Sequence, residues 1–180
     1  MKVTDTMADN DFDAGGNDGL INSADPMANG AAGPQASLIS HYVKDLSVEN
    51  PNAPEVYQWP SQLGFDVNFK AESRQLNEEV HEVLCTYTVT AKADQGTAYI
   101  IELVYGALVG LRGLNEDDTR RFLFAETPRL VFPAVRLLLG QLTRDSGFPP
   151  MVLEPIDFIG LYDQQHGSRS AGDGPPVGNA

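Results

Sequence analysis

Val80-His81-Glu82-Val83-Leu84-Cys85-Thr86-Tyr87-Thr88-Val89-Thr90-Ala91 is dominated by β-branched and aromatic residues, and after the turn Asp94-Gln95-Gly96 the chain continues Thr97-Ala98-Tyr99-Ile100-Ile101-Glu102-Leu103-Val104-Tyr105. Branched and aromatic side chains suit a pleated, half-buried surface, and a short turn closed by glycine joins antiparallel neighbours. The pair predicts a long hairpin, its second strand running from Thr97 to about Gly110. There Tyr99, Ile101, Leu103 and Tyr105 share one face and Ile100, Glu102 and Val104 the other. Both faces are largely apolar, so each is expected to be covered.

Upstream, Phe65, Val67 and Phe69 alternate with Asp66, Asn68 and Lys70 and predict another strand. Before it, Ser40 to Glu49 places Tyr42, Leu46 and Val48 on one parity and His41, Asp45, Ser47 and Glu49 on the other, the pattern of a strand wet on one side. Asn50-Pro51-Asn52-Ala53-Pro54 ends that strand by removing backbone donors, and a loop runs on through Trp59-Pro60. Downstream of Leu114 the period changes. Asn115-Glu116-Asp117-Asp118 supplies a cap and three carboxylates for a short helix over Thr119 to Ala125. Pro128 and Pro133 bracket the entry to a second, longer helix carrying Val135, Leu138, Leu139 and Leu142, which Asp145-Ser146-Gly147 stops. An extended link follows, and Pro155 opens a last short helix that Gly160 is expected to close. Strands followed by helices predict an α+β domain: a four-stranded antiparallel sheet with helices packed on one side.

Composition bounds the rest. The 180 residues carry 12 Lys and Arg against 25 Asp and Glu, for a net charge of -13. Residues 1–36 hold Lys2 as their one cation against six Asp and read as a disordered acidic arm, and 166–180 as a polar, disordered C-terminal tail. Between them, over 37–165, acids still outnumber bases by eight, so the fold itself is acidic. Such a charge repels a phosphate backbone, and no nucleic-acid partner is expected. No apolar run reaches the roughly 18 to 20 residues of a bilayer span, and Met1 to Gly30 lacks the charged and apolar regions of a secretory signal. With Cys85 the single cysteine, no internal disulfide is possible, and the cytoplasm is the simplest compartment.

Chemistry-bearing patterns fail on geometry. His81 and Cys85 imitate a base and nucleophile, but four residues along a strand span about 13 Å. Asp9-Asn10-Asp11-Phe12-Asp13-Ala14 imitates a calcium loop, yet Ala14 stands where glycine is needed and Leu20 where a bidentate Glu is required. His41, His81 and His166 have no paired ligand spacing, so no metal and no cofactor are expected. Residues alone support an acidic, non-catalytic binding domain.

Four segments then resemble one family. Tyr42 through Asn50-Pro51-Asn52-Ala53-Pro54 is similar to the opening strand and loop of the SecB family of protein-export chaperones. Val80 to Ala91 with its hairpin and Thr97-Ala98-Tyr99, Leu130-Val131-Phe132-Pro133-Ala134-Val135-Arg136, and Gly147-Phe148-Pro149-Pro150 through Pro155-Ile156-Asp157-Phe158 follow in the family's order. The family's glycine pair after the aromatic stretch stands here as Gly106-Ala107.

The resemblance implies a cytoplasmic homotetramer, a dimer of dimers, that holds unfolded precursor proteins and delivers them to the SecA motor ATPase. It carries the SecA-docking role onto Asp45, Glu49, Ile100 and Glu102, with any zinc belonging to SecA. Client-binding candidates are Trp59, Phe65, Val67 and Phe69, with Leu130, Phe132 and Leu138 of the helical half. Tyr99, Ile101, Leu103 and Tyr105 suit either a subunit interface or the monomer core. The alternatives are a SecB-like chaperone devoted to a toxin–antitoxin pair and, in another class, a small-ligand carrier or enzyme built around a closed pocket.

Overall fold

The expected hairpin forms the middle of a four-stranded antiparallel sheet in a computed structural model that describes residues 33–166. The strands are β1 (Gln35–Glu49), β2 (Gly64–Gln75), β3 (Val80–Ala93) and β4 (Gly96–Arg112), in the order β1-β4-β3-β2. Each is longer than the alternation alone delimited, and β1 begins ahead of the expected boundary at residue 37. Residues 1–32, including the acidic stretch from Asp9, and the tail beyond His166 lie outside the described residues.

Register settles which side chains share a face. Val83, Cys85, Tyr87, Val89 and Ala91 of β3 and Tyr99, Ile101, Leu103, Ala107 and Val109 of β4 are almost wholly buried on the helix side. β1 departs from simple alternation, because irregularities at Ile39 and Lys44 each insert one unpaired residue. Val43 faces Tyr105 and Asp45 faces Val104, with Lys44 between. The insertion corrects the expected parity. His41 and Val43 lie on the helix side with Leu46 and Val48, while Tyr42 lies on the outer side with Asp45, Ser47 and Glu49.

The three expected helices form, but with different boundaries. α1 (Glu116–Arg121), a π-helical turn (Phe122–Glu126) and α2 (Thr127–Asp145) follow without a break. Pro128 has no N–H, and its ring would crowd the carbonyl four residues back in a regular helix. The wider turn absorbs the misfit: Thr127 donates both its backbone N–H and its hydroxyl, the latter at 2.9 Å, to the Phe122 carbonyl. Asn115 caps α1 as expected, its Oδ1 accepting from the Asp118 N–H at 2.8 Å. α3 (Phe158–His166) starts later than Pro155 and runs through Gly160, whose N–H donates to the Asp157 carboxylate at 2.9 Å. Gly160 therefore belongs to the opening turn and is not the stop.

α2 and α3 cover the inner face over the β2 and β3 side of the sheet through aromatic contacts, leaving Val43, Leu46 and Val48 of β1 exposed: Tyr87 lies 6.4 Å from Phe132, and Phe158 packs edge-on to both Phe69 and Phe132. Nothing among the described residues covers the outer face, contrary to expectation. There Ile100, Val104 and Leu108 are half-buried only by their neighbours in the sheet.

Candidate functional site: an apolar cleft beside β2 and an open sheet face

β2 is an edge strand, so Phe65, Val67 and Phe69 point to the helix side with no further strand to shelter them. The link between α2 and α3 passes opposite. Its position is set by Thr143, a wholly buried residue of α2 whose hydroxyl accepts from the Met151 N–H at 2.8 Å and donates back to the α2 carbonyls of Leu139 and Gly140. Between strand and link lies a cavity of about 840 Å³, with Val67, Phe69, Phe124, Leu153, Ile156 and Phe158 in its walls. A second, of about 710 Å³, continues past Phe65 among Tyr57, Trp59, Leu63, Tyr99 and Phe148. Tyr57 is held there by donating to the Ser146 carbonyl at 2.9 Å. Gly147, at φ 85°, lies under its ring, where a Cβ would come within 2.9 Å of the ring carbons.

The expected cleft residues Trp59, Phe65, Val67 and Phe69 all line these cavities. Leu130, Phe132 and Leu138 do not. Phe132 is sealed in the core beneath Tyr87, Leu138 packs half-buried against that core, and Leu130 is exposed away from both cavities. A helical stripe read from sequence has no direction, and here it turns toward the sheet. Met151, Val152, Leu153 and Phe158 of the link and α3 were missed as wall residues, since an extended segment between prolines carries no period. Tyr99, Ile101, Leu103 and Tyr105 belong to the monomer core, none retaining more than 6% of its exposure. They leave little surface for a neighbour.

The outer face is polar at its margins. Asp45, Glu49 and Glu102 are exposed and Ile100 half-buried, all on this side, with Glu49 opposite Ile100 and Ser47 opposite Glu102. Its one nearly enclosed carboxylate is Glu82, 3% exposed, a residue the sequence did not single out. Tyr42 donates to it at 2.5 Å, Lys44 at 2.7 Å and Arg74 at 2.7 Å. Tyr42 reaches it by lying over Gly106, where a Cβ would stand 2.7 Å from the ring. Chiefly the Lys44 and Tyr42 hydrogen bonds hold the Glu82 carboxyl down at about 2, and that carboxylate in turn raises the Tyr42 phenol.

No acid–base or nucleophilic pair emerges from His81 and Cys85. Burial pushes the Cys85 thiol up to about 12 and holds His81 below its ordinary value. Among the described residues no three His, Cys, Asp or Glu converge as metal ligands, and no helix is long and apolar enough to cross a membrane.

A sheet flanked by an open apolar cleft offers a surface on which a partner could bury apolar side chains. The family described as "Preprotein translocase subunit SecB" matches residues 29–169. "Protein-export protein SecB" of Novosphingobium aromaticivorans is 48% identical over 157 residues, covering 86% of this chain and 91% of its own. That of Erythrobacter litoralis is 48% identical over 165 residues, covering 87% and 93%. The fold resembles a SecB-like chaperone of Mycobacterium tuberculosis solved in complex with an antitoxin peptide, at TM-score 0.58 and 16% identity over 67% of this chain and 90% of that one. The chain belongs to the SecB family, whose members are protein-export chaperones.

Proposed function

We propose that the cleft beside β2 holds unfolded segments of precursor proteins in the cytoplasm, that four chains assemble as a dimer of dimers, and that the outer sheet face delivers the loaded chaperone to the SecA ATPase. One observation carries the client-holding role: apolar and aromatic side chains, Phe65 foremost at 54% exposure, line an open cleft along an edge strand. A site that must hold many sequences can rely only on non-directional burial and on backbone hydrogen bonds, which an edge strand offers. Trp59, Phe65, Val67 and Phe69 are the client-binding residues in this reading, with the link residues opposite them. Family relatives named for protein export favour this role over a chaperone dedicated to a toxin–antitoxin pair.

For SecA, the exposed Asp45, Glu49 and Glu102 around Ile100 give an acidic, flat dock for a basic segment. Exposed apolar residues outside the cleft, Val43, Leu46 and Val48 of β1 and Leu130 and Leu137 of α2, support assembly with further copies.

Two measurements test this. The protein is expected to bind a denatured precursor and to ignore its folded form; equal binding of both would sink the reading. Asp45→Ala combined with Glu102→Ala is expected to weaken SecA association about tenfold, each rim charge contributing on the order of 0.5 to 1 kcal/mol, while client holding stays intact. Calorimetry giving unchanged SecA affinity would remove the assigned face.

A further inference from the structure

α2 is charged unlike the rest of the fold. Its Arg129, Arg136 and Arg144 against Asp145 leave it at +2, whereas every other strand and helix among the described residues is neutral or negative. The cations stand on its uncovered side beside apolar residues. Leu130, Leu137 and Arg144 follow at seven-residue steps and are exposed, and Arg129 and Arg136 follow at the same step next to them. Positions seven apart share a helix face, so a cationic row and an apolar row run side by side. Glu126 pairs with Arg129 at 2.7 Å, but neither Arg136 nor Arg144 has an ion-pair partner among the described residues. The Arg136 guanidinium lies over the Phe132 ring, 5.9 Å from its centre, and its Nε is buried without a hydrogen-bond partner. A guanidinium held against a ring, with one donor shut away unpaired, is preorganised for a carboxylate.

We propose that the chain's own acidic arm seats along this face of α2, with Asp18 and Asp25 on Arg136 and Arg144 and with Leu20 and Ile21 against Leu137. The proposal goes beyond the assembly reading, which gives the same face to a further copy: the arm is a competitor that each chain carries for that face. Charge favours the arm as occupant. Residues 1–32 hold Lys2 as their one cation against six Asp, and α2 is the element of the described fold whose sign complements them. Pattern favours the stretch from Asp18 to Asp25. It sets two adjacent aliphatic residues between carboxylates, as α2 sets Leu137 between Arg136 and Arg144. Reach allows it within one chain. The arm enters the fold beside the helical half: a Cβ at Gly113 would stand 3.6 Å from the Pro34 Cα, and Gln35 pairs with Arg112, just ahead of α1. From Glu116 the unbroken helix reaches Arg136 in twenty residues, about 30 Å. The 15 residues from Asp18 to Gly33 can span about 50 Å. Leu137 cannot meet the arm and a second copy at once, so loosening the arm favours assembly.

Carbodiimide coupling, which joins a carboxylate to an amine only where the two touch, identifies what lies on α2. In the full chain carrying Arg136→Lys, with circular dichroism checking the fold, peptide mapping is expected to find position 136 joined to Asp18 or Asp25. Joining only to carboxylates of the folded domain, from the same chain or another copy, would overturn the arm as occupant. Adding Leu20→Ser with Ile21→Ser should lower the yield at least about fivefold, because two aliphatic side chains no longer cover Leu137. Phe12→Ser, elsewhere in the arm, should leave it unchanged. A yield unmoved by the Leu20 and Ile21 substitutions, or lowered as far by Phe12→Ser, would overturn the seat. Those two substitutions alone, which keep the net charge, should let the chain assemble at a concentration about fivefold lower in light scattering, since a competing contact is gone. An unchanged midpoint would overturn the competition. A chain that stays monomeric at every concentration while the coupling to the arm forms would overturn the assembly and spare the arm.

Discussion

Glu82 shows how a single residue ties the sheet together. It sits on β3, yet its donors come from β1 and β2, the two edge strands, which never touch as neighbours. A carboxylate with three donors, two of them cationic, is stabilised against protonation. Its folded value near 2 lies below the ordinary 4.5, so the contribution is complete at neutral pH and is lost as pH falls from about 4.5 toward 2. Glu82→Gln is expected to cost about 2 kcal/mol at pH 7 in urea unfolding, with the gap to the unaltered protein closing near pH 2. A gap independent of pH would show that the charge contributes nothing. Tyr42 and Gly106 belong to the same device, since the phenol reaches Glu82 only across a strand with no side chain in its path. Sequence could not expose this hub, because a Glu within a strand looks like any solvated residue until the register brings Lys44 and Arg74 beside it.

Among the elements, the link between α2 and α3 matters most to the cleft. It has no regular secondary structure, and its place depends on Thr143 offering the Met151 N–H a buried acceptor. Thr143→Val keeps the shape and removes the acceptor, leaving a buried donor unpaired at a cost of about 1 to 3 kcal/mol. Faster amide exchange at Met151 and weaker precursor binding are expected together; unchanged exchange would mean that the link is held elsewhere. The strands were legible because apolar residues recur at period two, and the central hairpin was correct to within two residues. β1 was misread by one face on either side of Lys44, since an inserted residue leaves no mark in composition. The unbroken helix from α1 to α2 was also hidden: Pro128 reads as a start, and only the π turn before it lets the helix continue.

For the whole molecule, charge and exposed apolar surface pull in opposite directions. Each chain carries -13, which opposes association, yet Leu137 remains 75% exposed and β1 presents Val43, Leu46 and Val48. A stable tetramer is expected to cover that surface, and light scattering should return about four times the 19.5 kDa chain mass. Leu137→Asp is expected to lower that mass while circular dichroism keeps the helical and strand signal. A monomer for the unaltered chain would overturn the proposed assembly.

Period and turn chemistry determined the class of fold and the order of its elements, because these depend on neighbours along the chain, and composition alone determined its acidity. The same local signals marked Phe65, Val67 and Phe69 as one face of a strand and Trp59 as part of the loop before it, and the family resemblance gave them a client-binding role. Which apolar stripe is sealed and which stays open depends instead on contacts between segments far apart in sequence. That is why Phe132 and Tyr99 to Tyr105 proved to be core, and why Met151 and Val152, silent in the sequence, became walls of the cleft. Burial is a property of packed surfaces, and only the tertiary structure brings those surfaces together.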